Sequence, residues 1–304
     1  MPLVSVVMTS YNHEKFIAES IESVLGQDFD DFELIIVDDA STDASRQIIQ
    51  EYAAEDSRIR VILHETNCGI TKTVNEGIEA AKGEFIAEIS SDDVWVKDKL
   101  TKQLAVVKQN GDLVVWSEGE IIDTNGRPTG TSFSDYYHTV SKQKSGDMFQ
   151  ELSKGNYIFG QTLLYKKSNL GNIRYDENLV YMNDYKLVLD LARKYKYYFL
   201  NEPLAKYRLH GHNTLIGSSS ETTKRRQIAM REYVSILEEA IRQYDRELTP
   251  DTKASMYATL AGYYYDRGEK KRSLGLLLQA VRYKPSYPPL LLKRTLSNLL
   301  SSRT

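Results

Sequence analysis

Four short polar clusters carry most of the chemistry open to this chain. Thr9, Ser10, Tyr11, Asn12 and His13 follow the first β-branched run, and Asp38 and Asp39 follow the second. His64, Glu65 and Asn67 follow the third, and Ser90, Ser91, Asp92 and Asp93 follow the fourth. Three of these clusters hold an acid. Carboxylates gathered in one cleft repel and raise one another's pKa. A divalent cation relieves that repulsion, and hard carboxylate oxygens suit Mg2+ or Mn2+. Mg2+ is commonly held by one or two carboxylates together with the phosphates of a ligand. An acidic pocket that keeps a metal is therefore a natural site for a nucleoside diphosphate.

The clusters meet only if the elements before them run side by side. Strand-like runs fall at 3–9, 32–37, 58–64 and 84–89. Helical spacing fills the gaps at 14–26, 44–54, 71–81 and 97–109, with Phe16, Ile17, Ile21, Val24 and Leu25 on one face of the first helix. Gly83 follows the third helix as a stop signal, and the run from Asp38 to Asp43 has turn and N-cap chemistry. Such alternation predicts an α/β fold with a mostly parallel, doubly wound, Rossmann-like sheet flanked by helices and joined by right-handed crossovers. Ligands of such sheets bind beyond the carboxyl ends of the strands, which is where all four clusters stand.

The rest of the chain is less regular. Strands are expected at 113–122, 162–165 and 204–209, and a helix at 184–195. Residues 123–145 are polar and read as a long surface loop. Gly217 and Ser218–Ser220 mark a linker within 215–223. Beyond it come helices at 225–246, 252–267, 271–282 and 290–301. The pair 257–267 and 271–283 resembles a single tetratricopeptide-type hairpin, too little for an array. The expected division is a catalytic domain at 1–216, with halves at about 1–112 and 113–216, and a helical region at 217–304.

Composition narrows the classes. The chain has 304 residues, 41% hydrophobic and 27% charged, which suits a globular protein and excludes disorder as its main state. One cysteine, Cys68, excludes an intramolecular disulfide framework and points to a reducing compartment. No apolar run approaches membrane-spanning length, and residues 1–12 lack the features of a signal peptide. The net charge of −3 conceals an asymmetry: residues 222–304 hold 16 Lys/Arg against 8 Asp/Glu, and the preceding residues 23 against 34. An acidic first part without a nucleic-acid motif argues against nucleic acid as a partner.

Several fragments then share one family's order. Residues 2–12 and 34–43, Asn67-Cys68-Gly69 with Lys72 and Asn75, 83–86, Ser91-Asp92-Asp93, Asn183-Asp184-Tyr185 and Tyr207-Arg208-Leu209-His210 resemble family 2 glycosyltransferases of the GT-A fold. The resemblance spans roughly residues 2–215, and the impression is of bacterial enzymes that build surface polysaccharides. It implies an inverting glycosyltransferase using a nucleotide-sugar donor, UDP-linked, with Mn2+ or Mg2+ and a saccharide or lipid-linked saccharide acceptor. By the same resemblance Asp39 accepts the imide N–H of uracil. Thr9 and Tyr11 flank base and ribose, and Asn67 and Lys72 join the nucleotide site. Asp93 ligates the metal, with Asp92 on the ribose or as a second ligand, and His210 approaches the metal or diphosphate. Asp184 is the general base. Trp95, Tyr137 and Tyr157 are the acceptor-side candidates. Two positions depart from the family pattern: Ser90 stands where Asp-x-Asp-Asp has its first acid, and Asn183 replaces the Glu of Glu-Asp.

Each assignment has a plainer counterpart. Asp38 and Asp39 also suit a strand end, Asp92 and Asp93 a helix N-terminus, and Asp184 an N-cap. Arg208 suits either phosphate or a structural ion pair. His13 and His64 read as surface or core residues, His212 as a solvated loop residue, and Cys68 as non-catalytic. The basic tail can lie on anionic lipid, pack on the catalytic part, or meet a second copy. A cytoplasmic protein, able to sit at the inner face of the membrane, is the expected setting. Two other functions have some support in the residues. A sugar-1-phosphate nucleotidyltransferase would want a glycine-rich loop after the first strand, where this chain has Ser10-Tyr11-Asn12-His13. A non-catalytic sugar-binding or scaffold protein is motivated by Ser90 and Asn183.

Overall fold

Strand β1 (Val4–Ser10) is buried along almost its whole length, so it must be covered on both faces. Strand β2 (Phe32–Asp38) is buried throughout, whereas β3 (Ile59–Leu63) is mostly half-buried. With β4 (Phe85–Ser90) these form a parallel quartet in the order β3-β2-β1-β4. The register sets the site: Ser10 pairs with Asp38, Thr9 with Ser90, and Asp38 with Leu63. The four polar clusters thus leave the sheet at one edge. The coordinates are a computed structural model and describe residues 1–211 and 213–286.

Helices cover the quartet. In α1 (Ile17–Leu25), Ile17, Ile21 and Val24 enter a core with Val6, Met8, Leu34 and Ile36. The next helices are α2 (Ser45–Glu55), α3 (Ile70–Ala80) and, after the two-residue strand β5 (Val94–Trp95), α4 (Lys99–Asn110). Gly77 lets α3 lie close to β1, because a Cβ there would stand 2.4 Å from Val7 Cγ1.

The sheet continues past β4 as β8-β6-β9-β5, with β7 on the flank of β6. Its strands are β6 (Leu113–Ile122), β7 (Pro128–Ser132), β8 (Leu164–Lys166) and β9 (Lys196–Arg208). Strand β8 is antiparallel to β4 and β6, and β9 is parallel to β6. Two expectations change here. Residues 123–145 are not one loop: they hold β7, the helical turn α5 (Phe133–Tyr136) and a short 3-10 turn. Strand β7 is largely exposed, which is why its polar residues gave no strand pattern. Strand β9 runs 13 residues rather than six, and β5 pairs with its far end. Asn201, Glu202 and Pro203 interrupt its apolar pattern, and the register against β6 slips there, from Ser117 opposite Leu200 to Glu118 opposite Pro203.

The α-helical elements α6 (Phe149–Leu152), α7 (Lys167–Leu170) and α8 (Asn183–Ala192) follow in the chain. Then come α9 (Ser220–Gln243), α10 (Pro250–Asp266) and α11 (Lys270–Tyr283). Contacts group Met1–Met148 with Tyr157–Arg225 as one unit, and Phe149–Asn156 with the described residues from Arg226 onward as another. Within the second unit, Gln150 bonds Glu247 and Thr249, and the Phe149 ring meets Tyr244 edge-on. Thr249 caps α10 ahead of Pro250 at its first turn. Helix α9 starts inside the stretch expected to be a linker. The expected helix 290–301 and His212 lie outside the described residues. No helix among the described residues is long and apolar enough to cross a membrane.

Candidate active site

Asp39 follows β2 and is buried, with three donors already on its carboxylate. Oδ1 accepts the Cys68 N–H at 2.7 Å and lies 2.8 Å from His64 Nδ1, and Oδ2 accepts the Gly69 N–H at 2.8 Å. Gly69 takes φ +85°, a backbone conformation that glycine adopts without a Cβ clash. Ala40 and Asn12 also have left-handed backbone, at φ 61° and 54°. Such a conformation in an alanine costs energy and is tolerated where surrounding contacts fix the turn. Those contacts are on hand: Asn12 N–H donates to Ser41 Oγ, Asn12 Oδ1 accepts from Thr42 N–H, and Asp38 accepts from Ser41. Asn67 donates to the Asp39 carbonyl at 3.2 Å. Tyr11 and Lys72 are exposed at the same edge and Thr9 is half-buried.

The acidic turn after β4 has a different division of labour from the one expected. Asp93 faces inward: it is 1% exposed and its Oδ1 accepts the Arg208 N–H at 3.0 Å. Burial and the adjacent Asp92 charge push its pKa well up, more than Arg208 can offset. The expected partnership of Asp93 with His210 is not what the structure brings together. The carboxylate beside His210 is Asp92, with Oδ2 3.0 Å from His210 Nε2 and 3.9 Å from His13 Nε2. Burial would raise the Asp92 pKa, but the His210 hydrogen bond and the charges of His13 and His210 outweigh it and the value falls.

One ligand atom each from His13, Asp92 and His210 lies within 4.8 Å of the others, a spacing that fits a metal ion. His13 Nδ1 meets Ser91 Oγ at 2.8 Å, and a proton on Nδ1 leaves the Nε2 lone pair facing Asp92. Arg208 is structural. It is buried, its Nε donates to the Asp92 carbonyl and its guanidinium pairs with Glu19 at 2.5 Å.

Asp184 lies in the first turn of α8. Its neighbour Asn183 donates to Thr71 Oγ1 at 2.9 Å, and Thr71 opens α3 two residues after Gly69. That bond ties the start of α8 to the edge holding Asp39. Burial pushes Asp184 up to about 6, against the hydrogen bond from the Tyr185 N–H. Glu88, on β4, is close enough to feel the Asp184 charge and accepts from the hydroxyls of Tyr165 and Tyr175 at 2.6 and 2.5 Å.

The acceptor-side candidates separate. Trp95 is 3% exposed, donates its indole N–H to the Gln161 carbonyl and stacks under Lys99, so it is not open to a sugar. Tyr157 is likewise buried, edge-on to Trp116. Tyr137 is 41% exposed and clusters with Phe133 and Tyr136. Ser90 exchanges two hydrogen bonds with the Gln161 amide, at 3.0 and 2.9 Å. His13 and His64 are the residues that sequence reasoning left aside. Their signal was positional, since each follows a strand of the quartet. A separate apolar cavity of about 520 Å³, lined by Leu3, Phe29, Phe85 and Leu104, touches none of these groups.

Residues 5–174 match the sequence pattern of Glycosyl transferase family 2. The chain belongs to that family. Among relatives of this glycosyltransferase, Bacillus subtilis (strain 168) TuaG is 34% identical over 210 residues, 68% of this chain and 79% of TuaG. The name of TuaG assigns it to teichuronic acid biosynthesis. Solved structures share the fold. S. aureus TarS 1-349 in complex with UDP has a TM-score of 0.58 at 19% identity, covering 94% of this chain and 92% of that one. Mannosyltransferase PcManGT from Pyrobaculum calidifontis, in complex with GDP-Man and Mn2+, has a TM-score of 0.63 at 16% identity, covering 98% and 80%. The glycosyltransferase fold is therefore GT-A-like, a mixed sheet flanked by helices with helices at the C-terminal end.

Proposed function

We propose that this glycosyltransferase moves a sugar from a UDP-sugar to a saccharide acceptor, free or lipid-linked, with inversion, in the building of a surface polysaccharide. The observation that carries the reading is the shared edge. Asp39, the His13–Asp92–His210 group and the start of α8 all follow the parallel quartet or are tied to it. The TarS complex with UDP and the assignment of TuaG to teichuronic acid synthesis support the donor and the product class.

Asp39 reads the base. After Cys68, Gly69 and His64 are served, Oδ2 retains a lone pair for a ring N–H, which uracil presents and cytosine lacks. Asp92, His13 and His210 would hold the divalent ion. Two imidazole nitrogens beside one carboxylate favour Mn2+ over Mg2+, which prefers oxygen. When bound, the ion supplies charge stabilisation for the departing diphosphate. Asp184 takes the proton from the acceptor hydroxyl as its oxygen attacks the anomeric carbon. A carboxylate raised to about 6 is ionised at neutral pH and is a stronger base than an ordinary aspartate. Tyr137 lines the acceptor side. Ser90 and Asn183, the departures that motivate a non-catalytic scaffold, each make structural hydrogen bonds here.

The test is UDP release from a panel of UDP-sugars, with oligosaccharide or lipid-linked acceptors, with Mn2+ and with EDTA. Acceptor-dependent, EDTA-sensitive release of UDP supports the reading. Calorimetry that finds no metal-linked UDP binding supports the scaffold instead.

A further inference from the structure

Asp39 belongs to a longer chain of charge. His64 sits between two carboxylates, with Nδ1 2.8 Å from Asp39 Oδ1 and Nε2 2.6 Å from Glu76 Oε2. Its side chain is 9% exposed, against 36% for Glu76. A neutral imidazole has one N–H and one lone pair, so it serves one carboxylate and repels the other. With both carboxylates ionised, both contacts are satisfied together only by the imidazolium.

We propose that His64, held between Asp39 and Glu76, is a positioning residue for the donor nucleotide: it locks the Asp39 carboxylate and offsets its charge, so that the remaining Oδ2 lone pair meets the nucleobase N–H. This inference rests on reading Asp39 as the base acceptor and goes beyond it by giving two residues outside that contact a share in nucleotide affinity. The charge balance gives the reason. A nucleoside diphosphate is anionic, and a buried, uncompensated carboxylate at its binding edge opposes it. An imidazolium at 2.8 Å removes most of that opposition.

The surroundings set the sign of the pH dependence. Asp39 faces His64 from the end of β2 and Glu76 faces it from α3. Arg46 of α2 donates to the His64 carbonyl at 2.9 Å and stands 3.5 Å from Asp38, and the Cys68 thiol lies in the following loop. Burial pulls the His64 pKa down, and the bonds and charges of Asp39 and Glu76 overcome it and leave the value raised. The imidazolium therefore persists to higher pH than that of an unperturbed histidine, and nucleotide affinity falls as pH rises through the raised value. Without Glu76 that fall comes at lower pH.

The experiment is calorimetric titration of UDP at saturating Mn2+ between about pH 5.5 and pH 9, across the range in which histidines titrate. The proteins are wild type, Glu76→Gln, His64→Gln and Asp39→Asn. Protonation of the diphosphate is common to all four, so the comparison cancels it. Wild-type affinity falls with pH. In Glu76→Gln the midpoint of that fall moves towards acid, so affinity near neutral pH drops about three- to tenfold while the acid value is unchanged. His64→Gln is weak throughout and loses this dependence. Coincident curves for wild type and Glu76→Gln overturn the proposal, as does a uniform loss at every pH, which marks scaffolding alone. Glu76 is at the surface, so its variant stays informative if His64→Gln does not fold. Wild-type affinity in Asp39→Asn instead brings down the base-acceptor reading itself.

Discussion

Asp184 meets two opposed demands. Its burial raises the pKa to about 6, which suits a base, and the same burial penalises the charge in the folded state. The folded state thus holds the proton more tightly than the unfolded chain. Stability is fully present below the unfolded value near ~3.9 and is lost as pH rises through about 6. At neutral pH, Asp184→Asn is therefore expected to raise the melting temperature while lowering turnover by roughly 10²- to 10⁴-fold. Wild-type turnover should decline on the acid side with a limb near 6, checked by the pH–rate profile and thermal melts of both proteins. At this scale the sequence was informative about types and less so about pairs. Asp39 follows β2, and Asp184 lies in the first turn of α8, whose Asn183 bonds Thr71 of α3. Asp92 and Asp93 are neighbours of one type, and no spacing rule says which turns inward. The answer depends on Arg208, 115 residues away, whose backbone N–H claims Asp93.

Elements gave the clearer signal where burial was one-sided or complete. The first four strands and helices have apolar periods that match their environment, so pattern and fold agree. Strand β7 and the middle of β9 were obscured, the first because it is mostly exposed and the second because Asn201, Glu202 and Pro203 interrupt it. What holds the edge together is close packing of α3 on β1, since α3 carries the loop that donates to Asp39. Gly77→Ala is expected to cost about 1–3 kcal/mol, because the new Cβ would overlap Val7. Thermal melting measures the loss. UDP affinity should fall with it, as Gly69 shifts away from Asp39.

At the scale of the whole molecule, charge asymmetry distinguished an acidic catalytic part from a basic helical one. It did not reveal that Phe149–Asn156 belongs with the helices, because contact over such a sequence separation leaves no local pattern. Phe149 and Leu152 are buried, and the Phe149 ring meets Tyr244 of that helical unit. A chain ending at Arg225 is thus expected to expose them, and to aggregate or melt lower than the full chain by light scattering and calorimetry. The central claim is that acids distant in sequence gather at one strand edge to hold a metal and a nucleoside diphosphate. Titration of UDP into the full chain, with Mn2+ and with EDTA, in wild type and Asp92→Ala, tests it most directly. Mn2+-dependent UDP binding in the wild type, weakened at least about tenfold in Asp92→Ala, is the predicted result. UDP binding indifferent to both EDTA and the substitution, or no binding at all, would contradict it.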